Sequence, residues 1–297
     1  MTSEPVPAAV RAPSVVRWSA AGLGFQLESH DAAVHRRAGQ VFRPWAADPA
    51  CEPTATWTVE PGDVSSAWTA RDTGTGAITR HDSLTQAVTA VEFLAVQHLF
   101  DDHLGTLTAH AACAARDGRA VLIFGPSGAG KSTLACALWQ RGFGLLGDDT
   151  ILLDADTRTA RPAPRRVALR DATRALLGDA LWRRLLDCPA SEPTREGCLF
   201  HPDELDGVPR PIATVAACVF LARRGAASAA DRCVSIPPGL ATLAMLPYFN
   251  QSRRPDREAV IAQLGGFAAR TPAFDLPRGP LGTMTDAVVG ILAAVRE

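Results

Sequence analysis

A single lysine, Lys131, stands in a chain whose other fixed cations are twenty-nine arginines. GC-rich coding accounts for the arginine bias and for the abundance of Ala, Gly and Pro. A lysine that persists alone marks a place where arginine fails. Lysine is a compact point charge on a thin stem, whereas arginine is a broad planar fork. Lys131 lies in Gly125-Pro126-Ser127-Gly128-Ala129-Gly130-Lys131-Ser132-Thr133, the pattern G-x-x-x-x-G-K-[ST]. Such a loop cradles the phosphates of a nucleotide in backbone N–H groups, sends its lysine to the β/γ-phosphates and offers a hydroxyl, here Ser132, to Mg²⁺.

The elements around the loop agree with that chemistry. Arg119–Phe124 is a short apolar run that reads as a buried strand. Ser132–Arg141 reads as a helix stopped by Gly142, so the loop would lie at a helix N-terminus. A glycine-rich turn with a chance Lys-Ser is the plain alternative, and strand and helix on the correct sides argue against it.

Seventeen residues beyond Lys131 comes Gly144-Leu-Leu-Gly-Asp148-Asp149, followed by the apolar stretch Thr150–Asp154. A strand ending in two carboxylates can divide their labour: one holds a metal, the other accepts a proton from an attacking hydroxyl. Gly-Asp-Asp-Thr is also good turn chemistry between two strands. Upstream, Thr106–Arg116 reads as one strand containing His110, and Asp117-Gly118 is a two-residue hairpin signal. Depending on register, this hairpin brings His110 back to the phosphate end or leaves it at the far end. A structural, hydrogen-bonded histidine is the other reading.

Taken jointly, His110, the hairpin, Val121–Thr133, Arg141-Gly142-Phe143 and Leu146-Gly147-Asp148-Asp149 resemble the catalytic domain of HPr kinase/phosphorylase and its bacterial relatives. The resemblance spans residues 106–154. It implies an α/β fold with a P-loop core on mixed sheets, of the kind shared with phosphoenolpyruvate carboxykinases. It implies that Gly125 to Thr133 bind ATP phosphates, that Ser132 and Asp149 hold Mg²⁺, and that Asp148 is the general base toward a seryl hydroxyl, with His110 beside the reacting phosphate. Assembly into oligomers belongs to the same analogy. The chain departs from the pattern in two places. Ala111 replaces the glycine that follows the histidine. The Gly-rich Glu-Arg signature of the reverse, phosphorylase reaction is absent, and Arg161-Pro-Ala-Pro-Arg165-Arg166-Val-Ala-Leu-Arg170 stands in its place.

The expected function is therefore an ATP- and Mg²⁺-dependent kinase acting on a hydroxyl, serine foremost, of a protein, peptide or small molecule. A nucleotide-binding regulator and an ATPase without a phosphoacceptor are the other readings. A net charge of −1 argues against a general nucleic-acid grip. Seven cysteines without a C-x-x-C, no secretory signal and no apolar run of membrane-spanning length point to a cytoplasmic protein. The expected organisation is a tail over 1–16, an α/β lead-in over 17–104 and a catalytic domain over 105–297. A helix from Asp82 or Ser83 to Leu104, one helix over Thr173–Leu186, and helices over Pro238–Phe249 and Asp256–Arg270 are expected. So are strands at Ala213–Ala222, Arg232–Ile236 and Ala273–Leu276, and a last helix from Leu281. Cys113, Cys136, Cys218, Trp139 and Trp182 read as core. His201 could approach the site, but reads first as part of a surface turn. Arg165, Arg166 and Arg170 follow the Asp-Asp pair and could reach an acceptor or a phosphate, although solvated hairpin arginines are the preferred reading. The other arginine pairs, at 183–184, 223–224 and 253–254, read mostly as solvated faces, with a contact to nucleotide or substrate the alternative.

Overall fold

Asp117 and Gly118 have φ of 55° and 74°, the two positive values that a type I′ hairpin turn needs. That local constraint pairs the strands on either side and sets their register. It organises the larger part of a computed structural model that describes residues 12–20, 22–45, 51–62, 67–102, 107–206, 212–221, 233–249 and 257–295. The chain divides into two units, 1–95 and 96–297. The division thus falls inside a helix, upstream of the 104/105 boundary expected from sequence.

The first unit contains β1 (Ser14–Ala20), β2 (Leu23–Ser29), α1 (Ala32–Phe42), β3 (Pro53–Pro61), β4 (Trp68–Asp72), β5 (Ile78–His81) and the start of α2 (Leu84–Asp102). Its sheet runs β1-β2-β3-β4-β5, with β2 and β3 parallel and the other pairs antiparallel. Ala55, Trp57 and Val59 alternate inward along β3, and Trp57 stacks with Trp18 and Phe25 in a core closed by Phe42. Asp31 caps α1 by accepting from the Ala33 N–H at 2.6 Å. Ser83 accepts from the Gln86 N–H at the start of α2, as the capping signal predicts. β1 begins at Ser14, inside the stretch expected as a tail, of which 1–11 lie outside the described residues.

The second unit holds β6 (Leu107–Ala109), β7 (Ala112–Arg116), β8 (Arg119–Phe124), α3 (Lys131–Gln140), β9 (Gly144–Gly147), β10 (Ile151–Asp154) and β11 (Thr159–Pro162). There follow β12 (Val167–Arg170), α4 (Asp171–Leu177), α5 (Asp179–Leu186), β13 (Glu192–Pro193), β14 (Gly197–Phe200), α6 (Pro202–Asp206) and β15 (Ala213–Leu221). The remainder is β16 (Val234–Ile236), α7 (Pro238–Met245), α8 (Arg257–Arg270), β17 (Ala273–Leu276) and α9 (Leu281–Ala294). The large sheet runs β6-β10-β11-β15-β8-β7-β9 and is mixed. β8, β15 and β17 are parallel, while β7 runs antiparallel to β8 and β9. A smaller sheet, β12-β14-β13, is antiparallel.

Both faces of the central strands are buried. Val121, Ile123, Ala217 and Val219 pack into a core with Leu134 and Leu138 of α3 and Val288 and Leu292 of α9. Leu122, Phe124, Cys218 and Phe220, which alternate with them, pack into a second core with Met245, Leu264 and Phe267. This two-sided burial is why β8 and β15 read as continuous apolar runs. Cys113, Cys136, Cys218, Trp139 and Trp182 are core residues, and all seven cysteines are free thiols. Among the described residues no helix is long and apolar enough to cross a membrane.

Several expectations give way to tertiary context. Of the strand expected over 106–116, residue 106 lies outside the described residues, and 107–116 is two strands broken at His110-Ala111, because β6 pairs with β10 whereas β7 pairs with β8 and β9. Thr173–Leu186 is split by Gly178, whose φ of 89° and ψ of 152° end α4 and start α5. The helix from Pro238 gives way to a 3₁₀ turn at Leu246–Tyr248. His201 is fully buried rather than on a surface turn. Arg183 and Arg184 are exposed, while 223–224 and 253–254 lie outside the described residues, as do Ala222, Arg232 and Asp256.

Arg166 is the sharpest reversal. Its side chain is fully buried and donates to the Ala190 carbonyl and to Glu192 Oε2, each at 3.0 Å. Removing one partner of such a pair strands the other charge. Arg166→Ala is expected to lower unfolding stability by about 3–5 kcal/mol in urea titrations, and a paired Arg166→Met, Glu192→Leu change to recover most of it. A cost below about 1 kcal/mol for Arg166→Ala would show that the pair is dispensable.

Candidate active site

The hairpin register carries the chain to the site. Arg116 pairs with Arg119 and Ala112 with Ile123, so two residues further back His110 comes level with the end of β8, where the glycine loop begins. Of the two registers open to the hairpin, the fold adopts the one that brings His110 to the glycine-loop end. Its backbone N–H donates to the Tyr248 carbonyl at 2.6 Å, and Ala109 bridges to Phe249, which fixes the position.

A second break lies directly alongside. β9 ends at Gly147 and β10 begins at Ile151, with Asp148 and Asp149 between them. Ala109 pairs with Ile151 on one side of the break and Cys113 with Gly147 on the other. Both segments therefore leave the sheet at the same level. The Nδ1 atom of His110 thereby meets Oδ1 of Asp149 at 3.0 Å.

Between β8 and α3 the loop turns through Gly128 and Gly130, with φ of 74° and 99°. Gly130 is the left-handed N-cap residue of α3, a conformation an L side chain resists. The Ala129 N–H donates to the Pro126 carbonyl, and Arg278 Nη2 donates to the Ala129 carbonyl at 3.0 Å, holding the loop from outside. Lys131, the first helical residue, is 7% exposed. Its Nζ folds back to donate to the Gly125 carbonyl at 2.9 Å and lies 3.5 Å from His110 Nε2. Lysine only donates and an ionised aspartate only accepts. The His110 Nδ1 therefore carries the hydrogen that Asp149 accepts.

The two carboxylates differ sharply. Asp148 is 6% exposed, accepts from Ser132 Oγ at 3.2 Å and is reached by the Ala168 N–H. Burial is the main cause that pushes its carboxyl up to about 6, with the neighbouring Asp149 charge adding to the rise. Arg165, the Ala168 N–H and the Ser132 hydroxyl pull the other way. For Asp149, burial also favours the acid, but the hydrogen bonds and charges of His110 and Arg165 outweigh it and hold the carboxyl well below the usual range. Burial lowers the Lys131 ammonium, opposed by Asp149 and Asp148.

The raised Asp148 carboxyl makes a pH prediction. A group with folded pKa of about 6 against 3.8 contributes stability that is present below 3.8 and is lost as pH rises through 6. The depressed Asp149 acts in the opposite sense and only below its ordinary value of 3.8, so the two windows separate. Cation-free protein should therefore gain on the order of 1–2 kcal/mol between pH 7 and pH 5 relative to Asp148→Asn, measured by urea unfolding. Parallel pH profiles for the two proteins would refute it.

Of the two readings open for Arg165, solvated hairpin residue or contact in the site, the structure places it in the cleft. Its Nη1 donates to Asp149 Oδ2 at 2.5 Å, and its side chain is 18% exposed. Arg170, by contrast, is exposed and only loosely paired with Glu196 at 3.8 Å. The only sequence signal for Arg165 was its place shortly after the Asp-Asp pair. These groups share one cleft of about 350 Å³. Ser127 to Thr133, His110, Asp148 and Asp149 line it on one side, and Arg165, Ala168, Arg170, Ala172 and Thr173 complete it. Gly125 and Pro126 serve the loop through their carbonyls.

Among the described residues no cluster of three or more His, Cys, Asp or Glu side chains is arranged to hold a metal alone. Two carboxylates and one hydroxyl do meet in the cleft. That hard-oxygen set suits Mg²⁺, which is ordinarily held by one or two carboxylates together with substrate phosphates.

No family model matches the sequence, and no curated protein matches it. Solved structures that match include the HPr(Ser) kinase/phosphatase of Coxiella burnetii, at 16% identity, covering 62% of this chain and 94% of that one, with a TM-score of 0.32. A likeness this loose carries no inference about the present chain. What the fold shows by itself is an α/β protein with mixed sheets.

Proposed function

We propose that this protein is an ATP- and Mg²⁺-dependent phosphotransferase that moves the γ-phosphate to a hydroxyl, serine foremost, of a protein, peptide or small-molecule acceptor. What supports the reading is one convergence. Lys131, Ser132, Asp148, Asp149 and His110, drawn from three separate stretches of sequence, line the same cleft at the N-terminus of α3.

In this reading the first-turn N–H groups of α3, which lack partners within the helix, receive phosphate oxygens. Lys131 exchanges the Gly125 carbonyl for the β/γ-phosphates. Ser132 and Asp149 hold the cation, which supplies neutralising charge to the phosphates. The acceptor oxygen forms a bond to the γ-phosphorus as the bond to the β–γ bridging oxygen breaks, leaving ADP. The hydroxyl proton passes to Asp148. Of the two aspartates, Asp148 has the proton affinity near neutrality that a base requires, and Asp149 is the one ionised throughout.

Phosphorus NMR of the purified protein with ATP and Mg²⁺, with and without HPr, short seryl peptides and free serine, tests this, with Lys131→Ala as blank. An acceptor-dependent phosphoester signal is expected. Acceptor-independent inorganic phosphate would make it an ATPase, and bound but unchanged ATP would favour a nucleotide-binding regulator.

A further inference from the structure

Four side chains form a continuous line through the cleft: Lys131, His110, Asp149 and Arg165. The contacts are 3.5 Å from Lys131 Nζ to the His110 ring, 3.0 Å from the ring to Asp149 and 2.5 Å from Asp149 to Arg165. Two cations thus stand at its ends, separated by one ring and one carboxylate. Lys131 belongs to the loop, and Arg165 to the turn that leads from β11 into β12. That turn is rigid. The Arg165 N–H closes it on the Ala163 carbonyl at 2.7 Å, and the neighbouring Arg166 is buried against Glu192 and Ala190. The two adjacent arginines have divided roles, one an anchor in the core and one presented to the cleft.

The carboxylate between the two cations is the one proposed to hold the metal. A hard cation competes for an ionised oxygen, and an Asp149 carboxylate that shares its charge with a cation holds the Arg165 guanidinium less tightly. The anion that arrives with the cation is the terminal phosphate, and a guanidinium suits its geometry. We propose that Arg165 is a further catalytic residue, which exchanges Asp149 for the γ-phosphoryl oxygens when the nucleotide and cation enter. The inference rests on the reading of this cleft as a nucleotide site. It divides the phosphate contacts: the loop and α3 hold the part common to ATP and ADP, and Arg165 holds only the part that is transferred.

Equilibrium titration with Mg²⁺ and either ADP or a non-hydrolysable ATP analogue tests this in wild type, Arg165→Ala and Arg165→Gln. The variants should bind the analogue about tenfold or more weakly than wild type and bind ADP almost as wild type does. Equal weakening of both nucleotides would show that Arg165 merely positions Asp149, and unchanged binding of both would also overturn the proposal. Arg165→Gln, which keeps a polar side chain in the turn, covers the case in which Arg165→Ala fails to fold, and thermal melting of each variant verifies its fold. If wild type binds neither nucleotide, the nucleotide reading itself falls and this inference falls with it.

Discussion

Replacing Lys131 with alanine is expected to abolish measurable transfer, lowering turnover by about 10²–10³-fold or more, and to weaken MgATP binding. The effect is large because Lys131 is the loop's own ammonium. It starts α3, is nearly buried, and sits where the loop carbonyl of Gly125 and the His110 ring converge on it. A phosphate entering the loop would meet no other cation from the loop itself. Arginine should not rescue the site. The space around a 7% exposed side chain fits a thin stem, whereas a planar fork has to displace its neighbours. Turnover and nucleotide titration of Lys131→Ala and Lys131→Arg provide the check. Wild-type activity in Lys131→Ala would remove the basis for the phosphate-loop reading.

The second large effect is expected for Asp148→Asn. This variant should keep nucleotide affinity and lose transfer by about 10²–10⁴-fold, the contribution of a positioned general base. The neutral amide fills the same volume; its oxygen can accept from the Ala168 N–H, and its NH2 can donate to Ser132 Oγ, which is able to accept. It cannot take a proton from an acceptor hydroxyl. The same change should stabilise the cation-free protein at neutral pH, since burial is what raises the carboxyl. Loss of activity with gain of stability separates a functional carboxylate from a structural one. Full transfer by Asp148→Asn would refute the base assignment and direct attention to Asp149 and His110.

Particular residues mark how far the sequence could be read. The loop was legible because its signals are local: glycines at fixed spacing, an apolar run before them, a helical run after. Asp117-Gly118 was legible for the same reason, a two-residue turn with its own dihedral demands. The split of Thr173–Leu186 at Gly178 was missed because a glycine inside a helical pattern is often tolerated. Arg166 and His201 were misread because polarity stood in for exposure, although a buried polar group is stable once its partners are supplied. For Arg165 the sequence left both solvent and site open, because its partner, Asp149, is brought to it by the course of β10, β11 and the turn before β12.

By itself the sequence determined that a glycine-rich loop sits between a strand and a helix, that two carboxylates follow one helix later, and that a hairpin precedes it. All three are short-range properties of backbone dihedrals and hydrophobic pattern. Which side chains face one another was decided by the tertiary structure. His110 joins the site because β6-β7 and β9-β10 break at the same level. Asp148 and Asp149, adjacent in sequence, acquire opposite proton affinities because one is desolvated and the other is flanked by His110 and Arg165. Strand register and burial are set by contacts between residues far apart in the chain, and no local pattern specifies them.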